Sequence, residues 1–482
     1  MSAPQPLEIS LLSNTESAVS RFAARFGKQT HEARLQALEA AAARLGGFDL
    51  EAFHRAFGIK PLAPAKDLMA VAEVIVGAIE RTPIHPALAL SALSREPLKE
   101  ADRKSTGAYH TDFRLAMRLA EIPKPLRSGM KVIDPASGAG ILLIALTIAA
   151  CGRDRKKTAE WLSQSVYAAD LSSQSLRGAL LALASLTDDL PALVEMRSKW
   201  LCMDSLMASD KAWKSMAPEG FDVVIGNPPW EKVKITKHEF LKATGAKRHY
   251  GSEIEGLDHK AFAKERGGVA SYAKGLVEKY PALTSGEPDL YVAFVELASR
   301  LCKPGGHIAL LVPGGLIRSQ GTETIRKALF DSSESVAISV IDNKARFFGI
   351  DTRFKFLALG CRKAEQGNPK RNPIRLLHEK GAADGLEIVG AARIGRESLK
   401  RIRPDMSIPE VRNDNEWRMF RKMAGNGTDW GADGNGWRPE FCREVDMTRD
   451  RGHFKEASSS GIPLVEGRMV QQHRFGAKCH VS

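Results

Sequence analysis

Residues 131–150, KVIDPASGAGILLIALTIAA, constrain the fold more than any other stretch of the chain. KVIDP reads as a buried strand ending in a turn. Gly138 and Gly140 follow, and ILLIALTIAA then runs on as an apolar helix. The alternation repeats. SVYAAD (165–170) reads as a strand and LSSQSLRGALLALASL as the helix after it, while FDVVIGNPPW (221–230) is a strand running into a rigid turn. DLYVAFVELASRLC (289–302) is a helix, and HIALLVP (307–313), VAISVID (336–342) and FKFLALG (354–360) are further strands. Strands alternating with helices predict an α/β fold with a mostly parallel, doubly wound sheet.

The chain is longer than one ordinary core, so two or three domains are expected in its 482 residues. Residues 1–100 read as a helical N-terminal domain, with helix formers as in HEARLQALEAAAARL and breaks near Pro61, Pro64, Pro83 and Pro86. Residues 101–362 form the central α/β domain, interrupted at 231–288 by an insertion rich in Lys, Glu and Gly. Residues 363–482 turn Arg-, Gly- and Trp-rich and read as a linker leading into a further region. Apolar runs such as Ile141–Leu146 fall far short of the roughly 18 residues a membrane span needs. MSAPQPLEIS lacks the basic-then-apolar layout of a signal peptide, so a cytoplasmic location is expected. Six scattered cysteines without a Cys-x-x-Cys support neither a metal site nor a disulfide framework. A formal net charge of +13 favours a polyanionic partner, because Lys and Arg neutralise phosphates and release counterions.

Glycines at 138 and 140 let the backbone approach a ligand, as in dinucleotide-binding turns. Two features separate this turn from that class. Asp134 ends the strand itself, and Ile141-Leu142-Leu143 stand where a third glycine would come. The arrangement suits a cationic sulfonium with an amino acid moiety better than a pyrophosphate. Asp170 ends the second strand, where a carboxylate can accept both hydroxyls of a ribose, and Asp204 in LCMDSL would cap the third and accept an adenine amino group. A lone Asp at such a place is commonly a helix cap; three at successive strand ends point to a ligand.

Asn227-Pro228-Pro229-Trp230 is the most informative tetrapeptide. The lone pair of an aromatic amine such as adenine N6 is delocalised into its ring. Two acceptors on its N–H groups, the Asn227 side-chain oxygen and the Pro228 carbonyl, can localise that pair. The two prolines stiffen the turn so that these acceptors are preorganised. Trp230 offers a flat face to a base, with Phe348 as candidate for the opposite face and Phe347 its neighbour. No Pro-Cys dipeptide, which attack at cytosine C5 would need, occurs in the chain.

At these residues the chain resembles the gamma-class N6-adenine DNA methyltransferases, in the subgroup of type IIG restriction-modification enzymes and of the BREX and DISARM phage-defence methylases. The order DPASGAG, Asp170, Asp204, NPPW carries the likeness. Ser105–Thr111 resembles the segment that closes over the methionine part of the cofactor, and DTRFKF (351–356), REVDMTRDRGHF (443–454) and PLVEGRMVQQHRF (463–475) resemble later pieces of the subgroup. The resemblance implies a Rossmann-like class I methyltransferase sheet, a helical N-terminal domain, and a truncated C-terminal target-recognition region. It implies S-adenosylmethionine as cofactor, held by Gly107, Tyr109, Thr111, Asp134, Ala136, Gly138, Gly140, Asp170, Leu171, Asp204, Ser205 and Asn227. The implied partner is double-stranded DNA with a flipped adenine, together with a subunit that supplies target recognition or a nuclease. Ser137 and Ala139 stand where the family more often has Cys and Ser, and Asp112 where Pro is usual. Two other readings stay open. Asn-Pro-Pro-aromatic also suits the amide of protein glutamine or an RNA guanine, and an inactive, partner-dependent DNA-binding subunit would carry the same motifs.

Overall fold

The computed structural model describes residues 6–95, 110–233, 259–283, 288–365 and 371–426, and beyond these His453 and the pairs 470–471 and 474–475. The chain divides into two units, Met1–Lys422 and Met423–Ser482. In the second, Val470–Gln471 pairs antiparallel with Arg474–Phe475.

The first unit is built on one nine-stranded sheet. Its strands are β1 Val132–Asp134, β2 Val166–Asp170, β3 Leu201–Cys202, β4 Phe221–Gly226, β5 Cys302–Pro313, β6 Ser333–Asp342, β7 Lys355–Lys363, β8 Ile374–Gly381 and β9 Leu386–Ile394. They lie in the order β3-β2-β1-β4-β5-β7-β6-β8-β9. β1 to β5 run parallel, and β7 is antiparallel to both β5 and β6. This is the doubly wound, mostly parallel Rossmann-like sheet expected from the sequence. The inner strands are buried along their length, which is why they read as Val- and Ile-rich runs without alternation. From β1 the chain winds outward through β2 and β3, then returns to β4 and winds the other way. The crevice of a doubly wound sheet lies where that order reverses, at the C-terminal ends of β1 and β4.

Sequence patterning shortens β5 and overlooks β8 and β9. IRLLHEKG carries Arg375, Glu379 and Lys380, and so reads as linker. Glu379 is nonetheless buried. Arg118 donates to it through Nε at 3.0 Å and Nη2 at 2.7 Å, and the Ser339 hydroxyl donates to it at 2.7 Å. A strand acid fully satisfied from a helix some 260 residues away leaves no local pattern.

The N-terminal helices form a layer against the sheet's own helices. Helix Thr30–Gly46 buries an alanine-rich run from Ala33 to Ala43 and packs on helix Ser173–Ala184, which follows β2. Small residues permit the approach. A Cβ on Gly46 would fall 2.5 Å from the Ala184 carbonyl oxygen, and one on Gly178 would fall 2.6 Å from Ser94 Oγ. Arg177 fixes the same interface, reaching Glu32 at 2.7 Å and the fully buried Glu39 at 2.6 Å; Glu39 also meets His54 at 3.1 Å. Among the described residues, no helix is long and apolar enough to cross a membrane.

Candidate active site

The turn after β1 is held from three sides. Gly138 and Gly140 have φ of 52° and 75°, a region that disfavours any side chain. A Cβ at Gly140 would also strike Ala179 Cβ at 2.6 Å, whereas one at Gly138 would meet open space. The Ser91 hydroxyl, from helix Pro86–Ser94 of the N-terminal layer, donates to the Ala139 carbonyl at 2.8 Å. Ala136 is half-buried on the same turn.

Two carboxylates face this turn. Asp134 is buried and accepts the Ala136 N–H at 3.0 Å. Burial, with a smaller push from Asp170, drives its pKa up to about 8. Asp170 accepts Gly138 N–H through Oδ2 and Ser172 N–H through Oδ1, both at 2.8 Å. Burial raises its pKa despite those bonds. A carboxylate has about four acceptor sites, so Asp170 retains capacity for a ligand hydroxyl. Leu171, next along the chain, is 76% exposed, more than any other large hydrophobic side chain among the described residues.

Asp204 stands two residues beyond β3 rather than at its end. Its Oδ1 accepts from Leu206 N–H at 2.9 Å, and its Oδ2 accepts the Tyr272 hydroxyl at 2.9 Å. Tyr272 comes from helix His259–Lys279 in the inserted region, and Lys279 and Tyr280 of the same segment also bind backbone carbonyls at 206–208. Sequence reasoning missed Tyr272, because nothing local marks it as the partner of an acid 68 residues upstream. Ser205 Oγ and Ser137 Oγ are buried with no hydrogen-bond partner among the described residues. Orphaned hydroxyls are uncommon in a finished interior and fit a place where a polar ligand completes the bonding.

Across the crevice, β4 ends at Gly226 and passes into Asn227. A Cβ on Gly226 would lie 3.5 Å from Asp134 Oδ1, an ordinary contact that sets the end of β4 beside that carboxylate. Asn227 Nδ2 donates to Thr111 Oγ1 at 3.0 Å, which brings the segment before β1 to the Asn-Pro-Pro-Trp turn. Pro228 is buried and Pro229 half-buried. Asp112, where Pro was usual, caps helix Phe113–Ala120 and grips Arg114 with both oxygens at 2.9 Å. Gly107 and Tyr109 lie outside the described residues.

Trp230 is buried, and its indole Nε1–H donates to the Leu311 carbonyl at 3.4 Å. The Phe348 ring meets Trp230 edge-on with centroids 4.9 Å apart. Phe348 is a packed residue of a loop stapled by the buried Asn343, whose Nδ2 donates to the Phe348 carbonyl at 2.9 Å while its Oδ1 accepts the Phe348 N–H at 3.1 Å. Phe354 is the aromatic residue that reaches solvent beside the turn. It is 38% exposed and stacks on Trp230 at 5.7 Å and 18°.

The family of Eco57I restriction-modification methylases matches residues 164–348, which includes β2, β4 and the Asn-Pro-Pro-Trp turn. Solved structures similar to the chain include the type IIG restriction endonuclease BpuSI, at 15% identity over 83% of this chain and 46% of that one, with a TM-score of 0.47. A DrdV–DNA complex is similar at 12% identity over 84% and 45%, also with a TM-score of 0.47. The type I restriction-modification methyltransferase subunit of Streptococcus thermophilus is similar at 12% over 83% and 98%, with a TM-score of 0.41. The chain thus spans less than half the length of the BpuSI and DrdV chains. No curated protein matches it in sequence.

Proposed function

We propose that this protein transfers a methyl group from S-adenosylmethionine to N6 of adenine in DNA, as the modifying component of a restriction-modification or phage-defence system. The observation that carries this reading is the seating of Asn227 at the reversal point of the sheet, directly across from the Asp134–Gly140 turn. The match of residues 164–348 to restriction-modification methylases supports DNA as the acceptor.

The residues fit the cofactor. Open space at Gly138, spare acceptor capacity on Asp170, the exposed Leu171 and the orphaned hydroxyls of Ser137 and Ser205 suit a ligand with hydroxyls, an apolar ring and a positive charge. When bound, S-adenosylmethionine supplies a methyl group on a sulfonium that leaves with the carbon–sulfur bond pair. The chain's part is placement. The Asn227 amide oxygen and the Pro228 carbonyl accept the two amino hydrogens, draw the nitrogen lone pair out of the ring and aim it along the line of attack. That lone pair becomes the new nitrogen–carbon bond, and the surplus proton departs to water afterwards. Phe354, the exposed ring stacked on Trp230, offers its outer face to a flipped base, and stacking of about 1–3 kcal/mol offsets part of the cost of unstacking it from the duplex. Lys and Arg in excess over Asp and Glu, 70 against 57, serve the phosphates, so DNA binding weakens steeply with salt.

The test is incubation with methyl-tritiated S-adenosylmethionine and undermethylated bacterial DNA, followed by nucleoside analysis. Label in N6-methyl-2′-deoxyadenosine supports the proposal. Label in protein glutamine or ribosomal RNA would refute it, and cofactor binding without transfer to any acceptor would make the chain a non-catalytic subunit.

A further inference from the structure

A run of part-buried contacts connects Asn227 to the first helix of the chain. Asn227 Nδ2 donates to Thr111 Oγ1 at 3.0 Å, and the Thr111 carbonyl accepts from Arg95 Nη2 at 2.7 Å. Arg95 Nη1 is bound to Oε2 of Glu8, in the short helix Leu7–Leu11. The other oxygen of Glu8 accepts the Phe113 N–H at 3.1 Å. The Arg95 and Glu8 side chains are only 10% and 8% exposed. One carboxylate therefore grips both ends of the segment that precedes the cofactor turn: the arginine where it starts and the backbone where it finishes.

A buried ion pair contributes little net stability, because desolvation offsets the attraction. What it supplies is a fixed place for what it touches. The arginine fork spends one donor on Glu8 and another on the Thr111 carbonyl, so the threonine backbone is pinned. Its hydroxyl accepts from Asn227 Nδ2, so the place of the pinned threonine sets the place of the Asn227 side chain.

We infer that Glu8 and Arg95 are positioning residues for methyl transfer: through Thr111 they hold the Asn227 side chain in its place beside the cofactor turn, making the N-terminal helical layer part of the catalytic apparatus. This rests on the reading of Asn227 given above. Neither residue touches a substrate. Their effect belongs in the rate of the chemical step rather than in DNA affinity.

Glu8→Gln keeps the size and the bond from Phe113 but sets an amide N–H against the guanidinium. Expected is a fall of about a hundredfold in single-turnover methyl transfer to undermethylated bacterial DNA, with KM for DNA within about threefold of the parent. Amide hydrogen exchange at residues 111–113 quickens while helix Ile141–Cys151 is unaffected. Thr111→Val acts on the same contact, so the double variant is slower than Thr111→Val alone by no more than about twofold. A Glu8→Gln rate equal to the parent, losses that multiply in the double variant, or a loss that vanishes on cooling in step with a lowered Tm would each overturn the inference. Should Glu8→Gln fail to fold, Arg95→Lys takes its place, since a single ammonium cannot span both partners of the fork. Full transfer by Asn227→Ala would remove the reading beneath the inference. An inert Asn227→Ala beside a fully active Glu8→Gln would sink the inference alone.

Discussion

The two halves of the sheet finish in different chemistry. On one side, β1, β2 and the turn after β3 present Asp134, Asp170 and Asp204, two of them with carboxyls raised by burial. On the other, β4 and β7 border a cluster of Trp230, Phe348, Phe354 and Phe356, and the ends of β6 and β8 open into a cavity of about 600 Å³ whose lining mixes Lys344, Lys355, Lys380 and Arg412 with Asp342, Glu379 and Glu410. Acids withheld from water suit a cation with hydroxyls, and rings suit a nucleobase. Asn227 stands on the seam, where the winding of the sheet reverses.

Five variants break or sharpen that contrast. The largest effect is expected at the seam. Asn227→Ala should lower methyl transfer by about a thousandfold while S-adenosylhomocysteine binds as before in a calorimetric titration; retained transfer would end the assignment. On the aromatic side, Phe348→Ala should cost about 3 kcal/mol of folding stability as a core truncation, read by denaturant unfolding. Phe354→Ala should leave stability nearly unchanged and weaken capture of a flipped base by about 1–2 kcal/mol, read as 2-aminopurine fluorescence at the target position. If the two variants exchange behaviours, the rings have been assigned the wrong way round. On the acidic side, Asp170→Ala should weaken cofactor binding by about ten- to a hundredfold through lost charged hydrogen bonds, and equal affinity would remove it from the site. The smallest effect concerns Asp134. Its carboxyl titrates near 8 in the folded protein but near 4 in an unfolded chain, so between those values only the folded state holds the proton. That contribution to stability is complete below about pH 4 and is lost as pH rises toward about 8. Asp134→Asn removes it, so its Tm advantage over the parent should widen by roughly a few degrees from about pH 5 to about pH 8. A constant gap would place the raised carboxyl elsewhere.

How much of this was legible in the chain follows from the range of each interaction. β1, its glycine turn and the helix after it are dictated by neighbours in sequence, and so are Asp134, Asp170 and the proline-stiffened turn at 227–230. Phe348 and Phe354 look alike as residues six apart in one aromatic stretch. Only the Asn343 staple and the face of Trp230 tell them apart. β8 hides because its Glu379 is made bearable by Arg118. Glu8 hides for the same reason, its partners lying 87 and 105 residues away. Polar groups satisfied at long range have no periodicity to betray them.

The Tyr272 hydroxyl on Asp204 has one more consequence. A ligand that settles at the end of β3 must share that carboxylate with the helix His259–Lys279, so loading the pocket and seating the helix become linked equilibria. Whatever factor the seated helix gives to or takes from ligand affinity, the ligand returns to the helix in equal measure.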